Sequence, residues 1–138
     1  MHGWQQVMPC LSQHLPHLNK SLKEICMSTF DHPGLIQNIN ESLGPFRKSQ
    51  SDAMQGFAQL ARASMAEGAI SAKNKELIAL AIGITQHCSG CVGFHVKALR
   101  KLGCTREELE EMLTICVYMG GGPALMYSAE ALKAWDTM

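Results

Sequence analysis

The 138-residue sequence predicts a single all-α domain. Apolar residues recur at helical i, i+3, i+4, i+7 spacing, and no stretch alternates apolar and polar residues over the length of a strand. Capping residues, glycines and prolines fall between the periodic segments, where helices start and stop. With 46% hydrophobic residues, the chain suits one core and not two.

Leu11 to Phe30 has helical character interrupted near Pro16, and Asp31-His32-Pro33-Gly34 reads as a break. Pro45 suits the first position of a helix running to about Ala66 and ended by Gly68. Its apolar face holds Phe46, Met54, Phe57, Ala58, Leu60, Ala61 and Met65. Ser71 is a plausible N-cap for a helix whose stripe of Leu77, Leu80, Ala81 and Ile84 should face the core. Gln86 to Ser89 reads as a turn, followed by a helix from about Gly90 to Leu102 that stops at Gly103 in the left-handed position.

Thr105 and Glu108 form a capping box that opens a helix through Leu109, Met112, Leu113, Cys116, Val117 and Met119. Gly120-Gly121-Gly122-Pro123 closes it, and Pro123 starts a last helix through Leu125, Met126, Ala129, Leu132 and Trp135. The glycine run lacks the strand or lysine of a phosphate loop and reads as a tight turn. Met54, Met65, Met112, Met119 and Met126 sit at core spacings and read as core filling.

Lys plus Arg and Asp plus Glu number 12 each, with no basic cluster, so nucleic acid is not an expected partner. Met1 to Ser12 lacks a secretory pattern, and the strongest apolar run, Leu77 to Ile84, is too short to cross a bilayer. The expectation is a cytoplasmic protein without a membrane partner. Cys10, Cys26, Cys104 and Cys116 are scattered and read as buried thiols.

Cys88-Ser89-Gly90-Cys91, with His95 four residues on, stands apart. On a helix, Cys91 lies roughly 60° and His95 roughly 20° from Cys88, so all three share one face. Unpaired N–H groups and the helix dipole at such a start favour thiolate over thiol. Cys91, one turn from His95, reads as the attacking thiolate with His95 as its proton acceptor, and Cys88 as the thiol that resolves a sulfenic acid into a disulfide. Structural zinc is the competing reading, but it needs four ligands. Cys88, Cys91 and His95 supply three, and the remaining candidate, His87, adjoins one of them in sequence. No metal or cofactor is therefore expected.

The run Glu76-Leu-Ile-Ala-Leu-Ala-Ile-Gly-Ile-Thr-Gln-His-Cys88-Ser-Gly-Cys91-Val-Gly-Phe-His95 resembles the core of the AhpD-like alkylhydroperoxidase and carboxymuconolactone decarboxylase superfamily. Val117-Tyr-Met-Gly-Gly-Gly-Pro-Ala-Leu-Met-Tyr127 is similar to the segment that follows, and the likeness spans about residues 45 to 135. The resemblance implies an AhpD-like helical domain over residues 41–138, with residues 1–40 as an N-terminal helical extension, assembled as a trimer or hexamer. It also implies a peroxidase site of Glu76, Cys88, Cys91 and His95, in which Glu76 relays the proton. A hydroperoxide would be the substrate and a thiol or dithiol the electron donor.

By local logic alone, Glu76 is a first-turn carboxylate favoured by the helix dipole. A simple hairpin would set His95 opposite position 80 and leave Glu76 about one turn away, so a kink, a crossing angle or a longer turn is expected. One departure stands out: peroxidase members carry a second His directly before the second cysteine, where this chain has Gly90. Three alternatives remain: a lactone decarboxylase using acid-base chemistry, a dithiol-disulfide reductase, and a non-catalytic helical assembly module holding zinc.

Overall fold

In the computed structural model, Asp31 starts a helix where a break is expected. The structure describes residues 31–138; the helical reading of Leu11 to Phe30, and the thiols Cys10 and Cys26, lie outside them. Asp31 Oδ1 accepts the Gly34 N–H at 3.0 Å, and Pro33 sits in the first turn, where a missing N–H costs nothing. This opens α1 (His32–Ser49).

Pro45 lies inside α1, and the expected break there moves to Gln50, with φ −122°. Proline keeps a helical φ and removes one hydrogen bond, whose acceptor carbonyl on the exposed Glu41 is left to solvent. The segment expected as one helix is therefore divided between α1 and α2 (Ser51–Met65), and α2 ends at Met65, ahead of Gly68.

α3 (Ala72–Thr85) is capped as the sequence predicts: Ser71 Oγ accepts the Asn74 N–H at 3.2 Å. Leu80 and Ile84 are fully buried, with Leu77 and Ala81 packed against them. α4 (Ser89–Lys101) is followed by Gly103 at φ +70°, the left-handed residue expected there. α5 (Arg106–Thr137) begins with the complete Thr105/Glu108 capping box.

The two helices expected on either side of the glycine run abut without a loop. Gly121, at φ 64° and ψ −148°, is the one non-helical residue inside α5. Beyond it, Ala124, Ser128, Ala131 and Ala134 are buried, whereas Leu125, Met126 and Ala129 of the expected stripe face outward; Leu132 and Trp135 remain partly buried. Gly121 resets the helical phase, so the stripe cannot be counted across it. Core filling holds for Met112 and in part for Met54 and Met65, but not for the exposed Met119 and Met126.

The core lies among α3, α4 and α5, centred on Leu80, Ile84, Val92, Val96, Leu99, Leu109 and Leu113. α1 is laid on α4 through His32 and Ile36, each against Gly93, where a Cβ would lie 3.0 Å from Ile36 Cδ1. Cys104 and Cys116 are buried free thiols, and burial pushes both above the ordinary thiol range. Among the described residues, no helix is long and apolar enough to cross a membrane.

Candidate active site

The connection between α3 and α4 sets up the site. The His87 N–H donates to the Ile84 carbonyl at 3.1 Å and the Cys88 N–H to the Gly83 carbonyl at 3.0 Å, the paired bonds of a Schellman motif. The left-handed residue of that motif is usually glycine; here it is His87, at φ +56°. Its imidazole stacks on Tyr127 of α5, with ring centroids 5.0 Å apart. Such a stack is worth about 0.5–1.5 kcal/mol, comparable to the cost of roughly 1–2 kcal/mol for a side chain in this conformation. His87 is thus a backbone hinge with an aromatic prop. The sequence signal for it is a non-glycine residue two positions past the end of a helix.

Cys88 then becomes the N-cap of α4. The Cys91 N–H donates to Cys88 Sγ at 3.2 Å, a sulfur taking the place that a serine or aspartate oxygen usually fills. Cys88 and Cys91 are joined as a disulfide with a Cα–Cα separation of 5.2 Å, and both are half-buried beside the exposed Gln86 and His87. Gly83 makes this possible from the other side. A Cβ at position 83 would come within 3.0 Å of Cys91 Cβ, so only glycine lets α3 approach the disulfide this closely.

Gly83 also sets the register for the acid-base pair. Glu76 lies seven residues before Gly83 and His95 four after Cys91, which leaves them about 4.5 Å out of step along the helix axes. Neither helix is interrupted, and the connection is short. The offset is within reach of a glutamate and an imidazole side chain, and His95 Nδ1 lies 2.6 Å from Glu76 Oε2. An ionised carboxylate only accepts, so Nδ1 carries the proton and donates it to Glu76. Nε2 is then the ring nitrogen free to take a proton. The histidine and carboxylate side chains are 30% and 15% exposed, enough shelter for the contact to hold and enough access for chemistry.

Of the four residues singled out by the sequence, Cys88 and Cys91 are joined at the α3–α4 connection, and Glu76 and His95 meet between the bodies of the same two helices, His95 one turn beyond Cys91. Gly90, between the cysteines, points the other way. A Cβ there would lie 2.9 Å from Ile39 Cδ1 of α1, so a side chain as large as histidine meets α1 unless Ile39 moves. The sequence marks Gly90 as a departure but not its neighbour.

The two sulfurs are bonded to each other, and no three His, Cys, Asp or Glu side chains converge as a metal site among the described residues.

The fold and the site define an all-helical domain that carries a Cys-x-x-Cys disulfide at a helix start, backed by a histidine–carboxylate pair. The family model for the carboxymuconolactone decarboxylase family matches residues 51–134, and the chain belongs to that family. It is similar to a carboxymuconolactone decarboxylase family protein from Legionella pneumophila, solved in its apo form, with 47% identity and a TM-score of 0.76. That likeness covers 78% of this chain and 96% of the other. An uncharacterized protein of Cupriavidus necator is 36% identical over 110 residues, 80% of this chain and 97% of the relative. A second, uncharacterized protein 4 in the cox locus of Paracoccus denitrificans, is 30% identical over 101 residues, 73% of this chain and 91% of that one.

Proposed function

We propose that the protein is a thiol-dependent peroxidase-type oxidoreductase that cycles Cys88 and Cys91 between dithiol and disulfide. The observation that carries this reading is a disulfide pair at a helix start beside a histidine whose ring is fixed by Glu76 at 2.6 Å. In the reduced protein, His95 Nε2 takes the Cys91 proton. The Cys91 thiolate attacks the terminal oxygen of a hydroperoxide: an S–O bond forms, the O–O bond breaks, and the alkoxide leaves with the proton from His95 as an alcohol. Cys88 attacks the sulfenic sulfur, closing the S–S bond and releasing water. An external dithiol then supplies two electrons by thiol-disulfide exchange.

The N-cap position of Cys88 supports the last step. The Cys91 N–H that meets its sulfur at 3.2 Å would stabilise a thiolate on Cys88. Self-association into a homo-oligomer, which the family resemblance implies, is part of the same proposal.

One observation favours a second reading. Gly90 supplies no imidazole between the cysteines, and a Cβ there would lie 2.9 Å from Ile39 Cδ1, which suits a general dithiol-disulfide reductase better than a fast peroxidase. A single set of assays separates the two. Peroxide consumption with dithiothreitol as donor is measured for wild type, Cys91→Ser and Cys88→Ser, alongside reduction of a protein disulfide. Peroxidase function requires turnover that is lost in Cys91→Ser and a trapped sulfenic acid on Cys91 in Cys88→Ser. Full peroxide turnover by Cys91→Ser would sink the first reading, and fast disulfide reduction with negligible peroxide turnover would establish the second.

A further inference from the structure

We infer that α2 of one copy of this chain lies in the groove between α3 and α5 of another. The inference rests on the self-association proposed above and is independent of the thiol chemistry.

α2 has 15 residues and not one of them is buried. Phe57 and Leu60, one turn apart, are 68% and 64% exposed. A helix of this length is marginal in water by itself and draws its stability from burying an apolar face. Among the described residues, α2 finds only partial cover, at Met54, Ala58 and Met65.

The same chain carries a surface shaped to supply the missing cover. A groove of about 750 Å³ runs along α3 and α5 and includes none of Glu76, Cys88, Cys91 or His95. Ile78 and Ile82 on one wall, and Ile115 and Met119 on the other, are all exposed and spaced i, i+4. Two such ridges side by side leave a channel that accepts the side chains of a third helix. Lengths agree as well: α3 has 14 residues and α2 has 15, about 21 and 22 Å at helical rise.

No residue of α2 lines the groove of its own copy. Lys75 Nζ donates to the Ala66 carbonyl at 2.6 Å, and Glu67 Oε2 accepts the Ala72 N–H at 2.9 Å. These bonds pin the short connection to the start of α3 and hold α2 away from the groove. Among the described residues, each copy thus offers one uncovered helix and one uncovered groove. Reciprocal exchange in a two-fold pair, or head-to-tail exchange in a closed ring, satisfies every such surface.

The full-length chain with a photoreactive benzoylphenylalanine at position 57 tests this. Light and ¹⁵N-labelled protein are refolded together, irradiated, and the linked peptides mapped by mass spectrometry, with mass in solution measured by light scattering. Expected are links from position 57 to residues 70–85 or 106–119, about half of them between light and heavy copies. Ile82→Glu, which alters only the groove, should shift the wild-type assembly toward the 15.1 kDa single chain. Links confined to one copy, links to residues 1–30, or links outside the groove would each overturn the interface. An oligomer linked elsewhere leaves the self-association reading standing, whereas a wild-type monomer overturns both. Should Ile82→Glu fail to fold, the cross-links decide alone.

Discussion

His95 donates its Nδ1 proton to Glu76 across 2.6 Å, joining two residues nineteen apart in sequence. The contact fixes the ring in one tautomer and orientation, and in the proposed cycle it would also provide a negative charge to stabilise the imidazolium formed when Nε2 takes a proton. Position and chemistry are set together.

Glu76→Gln keeps the shape but removes that charge. Peroxide-driven loss of the Cys88 and Cys91 thiols should slow by about 10²-fold, the low end of a general-base contribution. Stopped-flow kinetics with unchanged circular dichroism checks this. An unaltered rate would take Glu76 out of the site.

Gly90→His should destabilise the protein by about 1–3 kcal/mol, because the new side chain meets Ile39. Combining it with Ile39→Ala makes room. If a second imidazole is what limits peroxide chemistry, the double variant should turn over peroxide faster than Ile39→Ala alone. Urea unfolding and peroxide assays on the three variants give both answers.

His87→Ala keeps the left-handed strain and loses the stack on Tyr127, whereas His87→Gly loses the stack and relieves the strain. The glycine variant should therefore be more stable than the alanine variant by about 1 kcal/mol. Equal urea midpoints would mean that position 87 is not strained.

His32 and Glu130 form a buried pair, 1% and 9% exposed, with His32 Nε2 and Glu130 Oε2 3.6 Å apart. Neither ring nitrogen of His32, nor Glu130 Oε2, has a hydrogen-bond partner among the described residues. His32→Leu leaves a lone buried carboxylate and should cost about 3 kcal/mol. The double replacement His32→Leu, Glu130→Leu should recover most of that loss. Thermal unfolding of both variants is the measurement.

The Glu108 carboxyl is held below its ordinary value of 4.5, first by its hydrogen bond with Lys73 at 2.5 Å and then by the Thr105 backbone N–H. A lowered native value means that the unfolded chain binds the proton more readily. The contribution is thus complete above the ordinary carboxylate range and is lost as pH falls through the native value. Lys73 is raised by the same contact, so its share is lost only at the alkaline end. Urea midpoints should fall on acidification below about pH 5, and less steeply in Glu108→Gln. Parallel slopes would exclude the pair as a source of acid sensitivity.

Much of the architecture is local and legible in the sequence. The all-α class, the Ser71 cap, the Thr105/Glu108 box, the Gly103 stop and the cysteine pair at a helix start depend on residues within four of one another. Spacing within one segment fixes these, because helix geometry repeats at short range. Pro45 and the Asp31–Gly34 stretch misled because a proline is compatible with either a break or a first turn, and only the flanking hydrogen bonds distinguish them. Gly121 hid the phase of the last helical segment for a similar reason: one left-handed residue rotates every side chain after it.

The candidate site divides along the same line. Cys88, Cys91 and His95 share a helical face by counting alone. That Glu76 meets His95 depends on Gly83 letting α3 close on Cys91. That Gly90 is shut off depends on Ile39, more than fifty residues away. That His87 can hold a left-handed turn depends on Tyr127. The sequence by itself determined which groups could do chemistry; the tertiary structure decided which of them meet, because contacts between helices depend on register and close approach, and neither is written in the period of a single helix.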